Sequence, residues 1–179
     1  MKQFIKTVKL DIKPYTFGHH GLMTILMICL FCRGFQMLLL HRTGAGLVGK
    51  QFLWRFCPAI EWLIGFLFAC EIRCSAELGT GLLFPHPTGI VIGEGVVVED
   101  NVTIYQNVTL GARGGLGKNK LQYPSIASNV IVYANSVIAG GIRVGANAII
   151  GASALVLEDV PSGGYAFGLK ATIKQMSVN

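Results

Sequence analysis

Two textures of hydrophobic patterning divide the chain. Up to about Ala69, apolar residues come in long runs of Leu, Met, Ile and Phe, interrupted near Pro14, Gly18, 43–49 and Pro58, and these runs predict helices. From Ile72 onward Val, Ile, Gly and small residues take over and predict short strands joined by tight turns. There an aliphatic or aromatic residue recurs every six positions, and four positions after each comes a small or aliphatic one. Ile72, Leu78 and Phe84 keep the step, with Ala76, Leu82 and Thr88 in the second position. After a two-residue slip it continues through Ile92, Val98, Ile104 and Leu110, with Val96, Val102 and Val108. Segment 111–124 interrupts the pattern, which resumes at Ile126, Val132, Ile138, Val144, Ile150 and Val156, with Val130, Ser136, Ile142, Ala148, Ala154 and Val160.

A step of six predicts a parallel β-helix, a triangular prism in which each hexapeptide forms one face and three make a coil. A β-sandwich would alternate every two residues and would not keep one register across an insertion. The expected organisation is therefore mainly β: a helical segment over 1–69, a β-helix over 70–163 with an inserted loop at 111–124, and a tail at 164–179. Gly79, Gly93, Gly111, Gly145 and Gly151 each follow a first position, where sharp turns are expected.

Charge and composition narrow the partners. The formal charge is +6, but the cations are scattered and no aromatic residues alternate with them as nucleic-acid stacking requires, so nucleic acid is not an expected partner. A basic balance suits small anionic ligands instead. The cysteines, Cys29, Cys32, Cys57, Cys70 and Cys74, are odd in number and mostly in apolar surroundings, which points to reduced, buried thiols. The Cys29-Cys32 pair has no second pair to complete a zinc site. No small-residue cleavage site follows the basic start, so a cytoplasmic location is expected. The apolar runs 21–32 and 60–70 are shorter than the roughly 18 residues of a spanning helix. They are expected to be buried helices; helices resting on the inner membrane face or inserted in it are the alternatives.

A prism core holds no chemistry, so residues that break the repeat are the candidates for function. One break is Phe84-Pro85-His86-Pro87-Thr88-Gly89, which carries the β-helix's only histidine; His19, His20 and His41 all precede it. A single histidine argues against a three-histidine zinc site. Glu71 lies almost one coil earlier, where it either orients the His86 imidazole or remains a solvated charge. The second break is the Gly-rich, basic loop 111–124, suited to ligand contact.

These motifs resemble those of the hexapeptide-repeat acyltransferases, and among them the serine acetyltransferases. The likeness runs from about Cys70 to Ala171 and rests on His86-Pro87-Thr88-Gly89-Ile90-Val91-Ile92-Gly93, on Gln106-Asn107-Val108-Thr109-Leu110-Gly111, and on Ile150-Gly151-Ala152-Ser153 followed by Asp159-Val160-Pro161. The resemblance implies a left-handed β-helix, a homotrimer, and an enzyme that transfers acetyl from acetyl-CoA to a hydroxyl without a metal. It implies His86 as general base and Glu71 as its acidic partner. It also implies a pantetheine arm along Gly111, Ala112, Ala134 and Ala152, and Lys170 near the coenzyme's phosphates unless that lysine is an ordinary surface one.

The acceptor positions depart from the family. Where serine acetyltransferases carry Arg-His-Pro at the end of the loop, this chain has Gln122-Tyr123-Pro124, and Pro85 replaces their acidic residue before the catalytic histidine. A site without its ionic clamp is expected to grip a zwitterion poorly. The chain thus looks like the short relatives that acetylate sugars of surface polysaccharides, of the colanic acid acetyltransferase type. Such a sugar is the expected acceptor, with serine as the alternative and a non-catalytic scaffold as a reading of another class. Tyr123 either stacks on a sugar ring or caps the loop.

Overall fold

The computed structural model describes residues 2–19, 21–114 and 121–168. Helix α1 (Lys2–Asp11) gives way at Pro14 to the single turn α2 (Lys13–Thr16), which ends at a left-handed Phe17. Helices α3 (Leu22–Phe31) and α4 (Arg33–Ala45) are bent by 78° at an extended Cys32. A 3-10 turn (Leu53–Phe56) leads into α5 (Cys57–Phe68), where Pro58 occupies the first turn and its missing N–H costs no helical bond. Among the described residues no single helix is long and apolar enough to cross a membrane.

Burial of these helices is uneven. Phe35, Met37 and Leu38 of α4 and Ile64 and Phe68 of α5 enter the core, as the apolar runs predict. Helix α3 departs from that expectation: only Ile28 is buried, while Leu22, Met23, Leu26, Met27 and Leu30 are exposed. Its sequence is apolar on every side, so nothing in it selects one stripe for burial.

The strands wind as five coils of a left-handed β-helix with three parallel faces. Face one stacks β1 (Glu71–Ile72), β3 (Val91–Ile92), β6 (Thr109–Gly111), β9 (Val137–Ala139) and β12 (Leu155–Val156). Face two stacks β2 (Glu77–Leu78), β4 (Val97–Val98), β7 (Ser125–Ile126) and β10 (Arg143–Val144). Face three stacks β5 (Thr103–Ile104), β8 (Ile131–Val132), β11 (Ile149–Ile150) and β13 (Tyr165–Ala166), and Leu83 extends it by a bridge to Thr103. Because β13 pairs with β11, the last coil runs past the expected boundary at residue 163.

The six-residue step is the core. Ile92, Ile104, Leu110, Ile126, Val132, Ile138, Val144 and Ile150 have no exposed surface at all. Two details differ from the sequence reading. Thr88 is exposed and Ile90 is the buried second-position residue, so the slip lies inside the repeat that begins at Phe84. The tight turns are made not by glycines after first positions but by left-handed residues just before second positions: Asn101, Asn107, Asn129, Asn135, Asn147 and Ser153. Gly79 serves a different need. A Cβ there would lie 2.5 Å from the backbone of Glu99 on the next coil, so the glycine permits close stacking.

A buried ion pair seats the helices on the first coil. The Asp11 carboxylate accepts hydrogen bonds from Arg42 Nε at 2.9 Å and from the Gly81 N–H at 2.9 Å, and the two side chains of the pair are 2% and 9% exposed. Arg42 also donates to the carbonyl oxygens of Leu78 and Gly79. The neighbouring His41 is buried with Nε2 3.2 Å from the Arg73 carbonyl oxygen, and burial, aided by the Arg42 charge, pushes its pKa down to about 4. Cys57, Cys70 and Cys74 are buried free thiols, as expected, whereas Cys29 is exposed. Burial pushes the Cys74 thiol up to about 12.

Candidate active site

His86 lies on the edge where face three turns into face one, at the end of the first coil. Two prolines and a tight turn shape its segment, in which the Thr88 N–H donates to the His86 carbonyl oxygen at 2.8 Å. Three helices then clamp it. The Phe84 N–H donates to the Tyr15 hydroxyl of α2 at 3.0 Å, and burial raises that phenol's pKa, which keeps it protonated. Gly34 of α4 abuts the Phe84 carbonyl so closely that a Cβ would collide with it. At the end of α5, the Phe68 carbonyl oxygen lies 3.4 Å from Thr88 Oγ1, and that of Ala69 accepts from the Gly89 N–H at 2.9 Å. The anchored backbone leaves the imidazole itself exposed.

Beside it opens a cleft of about 370 Å³. One wall is Pro85, His86, Pro87 and Thr88; the other is the bend between α3 and α4, namely Phe31, Cys32, Arg33 and Gly34. The Arg33 guanidinium donates to the Leu67 carbonyl oxygen at 2.9 Å and lies 5.7 Å from the centre of the Phe68 ring. Among the described residues no carboxylate pairs with it. A larger cavity of about 580 Å³, lined by His41, Arg42, Cys74 and Glu77 among others, does not include His86.

Glu71 opens face one at the same edge, one coil before the segment that follows His86; its N–H donates to the Ile90 carbonyl oxygen at 2.8 Å. The two candidate residues therefore share an edge on neighbouring coils. Their side chains form no ion pair within 4 Å, since the described pairs are Arg42–Asp11, Arg73–Glu61 and Arg143–Glu99.

Along this edge the structure adds two residues that sequence reasoning missed. The rings of His86 and Tyr105 are 6.3 Å apart, and Tyr105 stacks on Tyr133 at 5.1 Å with an interplanar angle of 21°. Both tyrosines directly follow a first position, Ile104 and Val132, and that shared register was the available signal. Ala134 and Ala152 occupy the same edge on later coils.

The remaining candidates lie elsewhere. Gly111 and Ala112 sit where face one turns into face two, and the loop leaves from there. At its foot Arg113 and Gln122 pair through two backbone hydrogen bonds of 2.9 and 3.1 Å. The Tyr123 ring packs against Gly93 and Gly95, and its hydroxyl donates to Glu94 Oε1 at 3.1 Å. Tyr123 thus caps the loop. Within one chain, Gln122 and Tyr123 are on a different edge from His86 and Pro85. Lys170 lies outside the described residues.

Comparison with known proteins places this architecture. The family model described as bacterial transferase hexapeptide (six repeats) matches residues 123–158. A serine acetyltransferase of Helicobacter pylori (strain J99) is 39% identical over 145 residues, covering 80% of this chain and 82% of that protein. The serine acetyltransferase of Escherichia coli K12 is 37% identical over 146 residues, and this chain spans about half its length, 52%. Among solved structures, the serine acetyltransferase of Brucella abortus superposes with a TM-score of 0.83 at 32% identity, covering 96% of this chain and 68% of that one. A serine acetyltransferase in complex with CoA gives 0.80 at 31% identity over 97% of this chain and 70% of that one.

Proposed function

The chain belongs to the serine acetyltransferases, hexapeptide-repeat enzymes that take acetyl from acetyl-CoA, and on that premise we propose that it transfers the acetyl group to the hydroxyl of L-serine, with His86 as general base. The observation that carries this reading is the exposed His86 imidazole, held by three helices at the mouth of a cleft. A nitrogen of that ring accepts the hydroxyl proton as the serine oxygen attacks the thioester carbonyl. The tetrahedral oxyanion then collapses, the C–S bond breaks, and the CoA thiolate leaves with the proton returned from the imidazolium. The products are O-acetylserine and CoA. Glu71, on the adjacent coil of the same edge, is assigned to steady the imidazolium.

The expectation of a sugar acceptor rested on Gln122, Tyr123 and Pro85, and the relatives' names favour the serine alternative over it. There is a physical reason to follow them. Within one chain Gln122 and Tyr123 are engaged at the foot of the loop on another edge, and the cleft beside His86 carries a cation of its own. That cleft is lined by Arg33, whose planar fork suits an amino acid carboxylate. The separation of the two edges also supports a homotrimer, in which the loop edge of one copy meets the histidine edge of the next and the coenzyme lies between Gly111 and Ala112 on one side and Ala134 and Ala152 on the other. We place the enzyme in the cytoplasm.

Thiol release from acetyl-CoA, measured with L-serine and with a panel of nucleotide sugars and oligosaccharides, tests the reading. Serine turnover that disappears in His86→Ala and shows a raised KM in Arg33→Gln is the expected result. His86-dependent transfer to a sugar with none to serine would overturn the acceptor, and no binding of acetyl-CoA would revive the scaffold.

A further inference from the structure

We infer that the helical segment docks on an anionic membrane surface through α3 and the stretch Lys50–Phe56. This surface goes beyond the acetyl transfer described above and does not depend on its acceptor.

The first observation is unburied apolar area. Seven large side chains of α3 and three of α5, Trp62, Phe66 and Leu67, face solvent. Between α4 and α5, all seven residues of Lys50-Gln51-Phe52-Leu53-Trp54-Arg55-Phe56 are exposed, and the Arg55 guanidinium lies over the Phe52 ring at 5.2 Å. Three aromatic rings with a cation near either end of the stretch suit a membrane–water boundary, where the rings enter the headgroup layer and Lys50 and Arg55 meet lipid phosphates. Apolar patches of this extent are unusual on a surface that faces only water.

The second observation is the partition of charge. Residues 1–70 hold eight of the fifteen Lys and Arg but only two of the nine Asp and Glu, so the entire +6 lies in the helical segment and the rest of the chain balances to zero. Both acids are already consumed, Asp11 by Arg42 and Glu61 by Arg73. Lys6, Lys9, Lys13, Lys50 and Arg55 remain exposed and without a described carboxylate partner. An anionic bilayer complements this charge. Pairing α3 and Lys50–Phe56 with the same surface of a second copy would instead set Lys50 and Arg55 against like charges.

The depth of contact is limited by length. Ten residues of α3 rise about 15 Å, half the roughly 30 Å hydrocarbon core, and the bend at Cys32 turns the chain back. The contact is therefore one-sided and peripheral.

Both tryptophans of the chain, Trp54 and Trp62, are exposed in this segment, so intrinsic fluorescence reports on it directly. The full chain should co-sediment with vesicles of phosphatidylcholine and phosphatidylglycerol with a blue-shifted tryptophan emission, remain in solution with phosphatidylcholine alone, and be released by salt. The double variant Lys50→Glu/Arg55→Glu should lower partitioning roughly tenfold or more. Leu26→Glu/Leu30→Glu should abolish it, and both variants should leave acetyl-CoA turnover on a soluble acceptor unchanged. Failure to bind anionic vesicles, or equal binding to both vesicle types, would overturn the inference. So would light scattering in which the charge-reversed surface splits a larger assembly, because the apolar face would then belong to a second copy.

Discussion

The β-helix and the helical segment bury their apolar residues by opposite means. In the β-helix each coil supplies the next with an identical floor, so position along the sequence fixes burial; the first-position residues from Ile92 to Ile150 are exposed by 1% or less. Helices of residues 2–68 have no such ruler, and each is buried only as far as a neighbour happens to cover it: α4 lies between the others and the first coil, while α3 is left open. Periodicity makes a core self-sufficient, and its absence makes one dependent on partners. The proposed base sits where the two meet: the backbone of the His86 segment belongs to the β-helix but is pinned by Tyr15, Gly34 and Phe68 of the helices.

The sharpest way to separate the regions is to remove function without touching either core. His86→Ala should reduce acetyl transfer by roughly 10²–10⁴-fold, read as thiol release, while thermal stability stays within experimental scatter. Next comes the joint between them. Asp11→Ala leaves Arg42 buried without its partner and should cost roughly 3–5 kcal/mol, seen in denaturant unfolding, with hydrogen exchange accelerating first in α1 and α4. Inside the repeat, Ile92→Ala should cost about 3 kcal/mol, against less than about 0.5 kcal/mol for Leu26→Ala on α3. Equal effects would break the contrast between a periodic and an uncovered surface.

The last expected effect is one of pH, spread over a window rather than set by one substitution. Burial holds the folded-state pKa of His41 at about 4, below its ordinary 6.5. Above pH 6.5 both the folded and unfolded states carry the neutral ring and stability is full. As pH falls from 6.5 to 4 only the unfolded chain takes up the proton, so up to roughly 3 kcal/mol is lost across that window. A His41→Asn variant should flatten the decline in melting temperature between those values, and an unchanged slope would assign it to other groups.

The inward positions were legible because nothing but the step of six was needed to find them. Thr88 was misplaced for the same reason: a fixed step locates a slip only to within one repeat, and whether Thr88 or Ile90 turns inward depends on the eight-residue path past His86. The asparagines at 101, 107, 129, 135 and 147 carry the same period and were overlooked in favour of glycines, although an asparagine tolerates the left-handed turn. His86 was found as a break in a pattern, but Arg33 and Tyr105 break none. They reach the site through a helix bend and a stack across coils, neither of which is written in local spacing. Exposure of α3 was hidden for a different reason, since a run that is apolar on all sides reads alike whether it is covered or bare.

The pairings of face one carry a consequence for how such a protein changes over time. Val91 pairs with Thr109 and Val137 with Leu155, eighteen residues apart in each case, yet Thr109 pairs with Val137, twenty-eight residues on. Ten extra residues leave the prism at one edge and rejoin it with every neighbour still in step. A lineage can therefore lengthen, shorten or rewrite that detour without renegotiating the core, whereas a single residue gained or lost within a face would throw every later coil out of alignment. Novelty in this architecture is cheap at the edges and nearly forbidden on the faces, so descendants of one ancestor are expected to differ most in their loops.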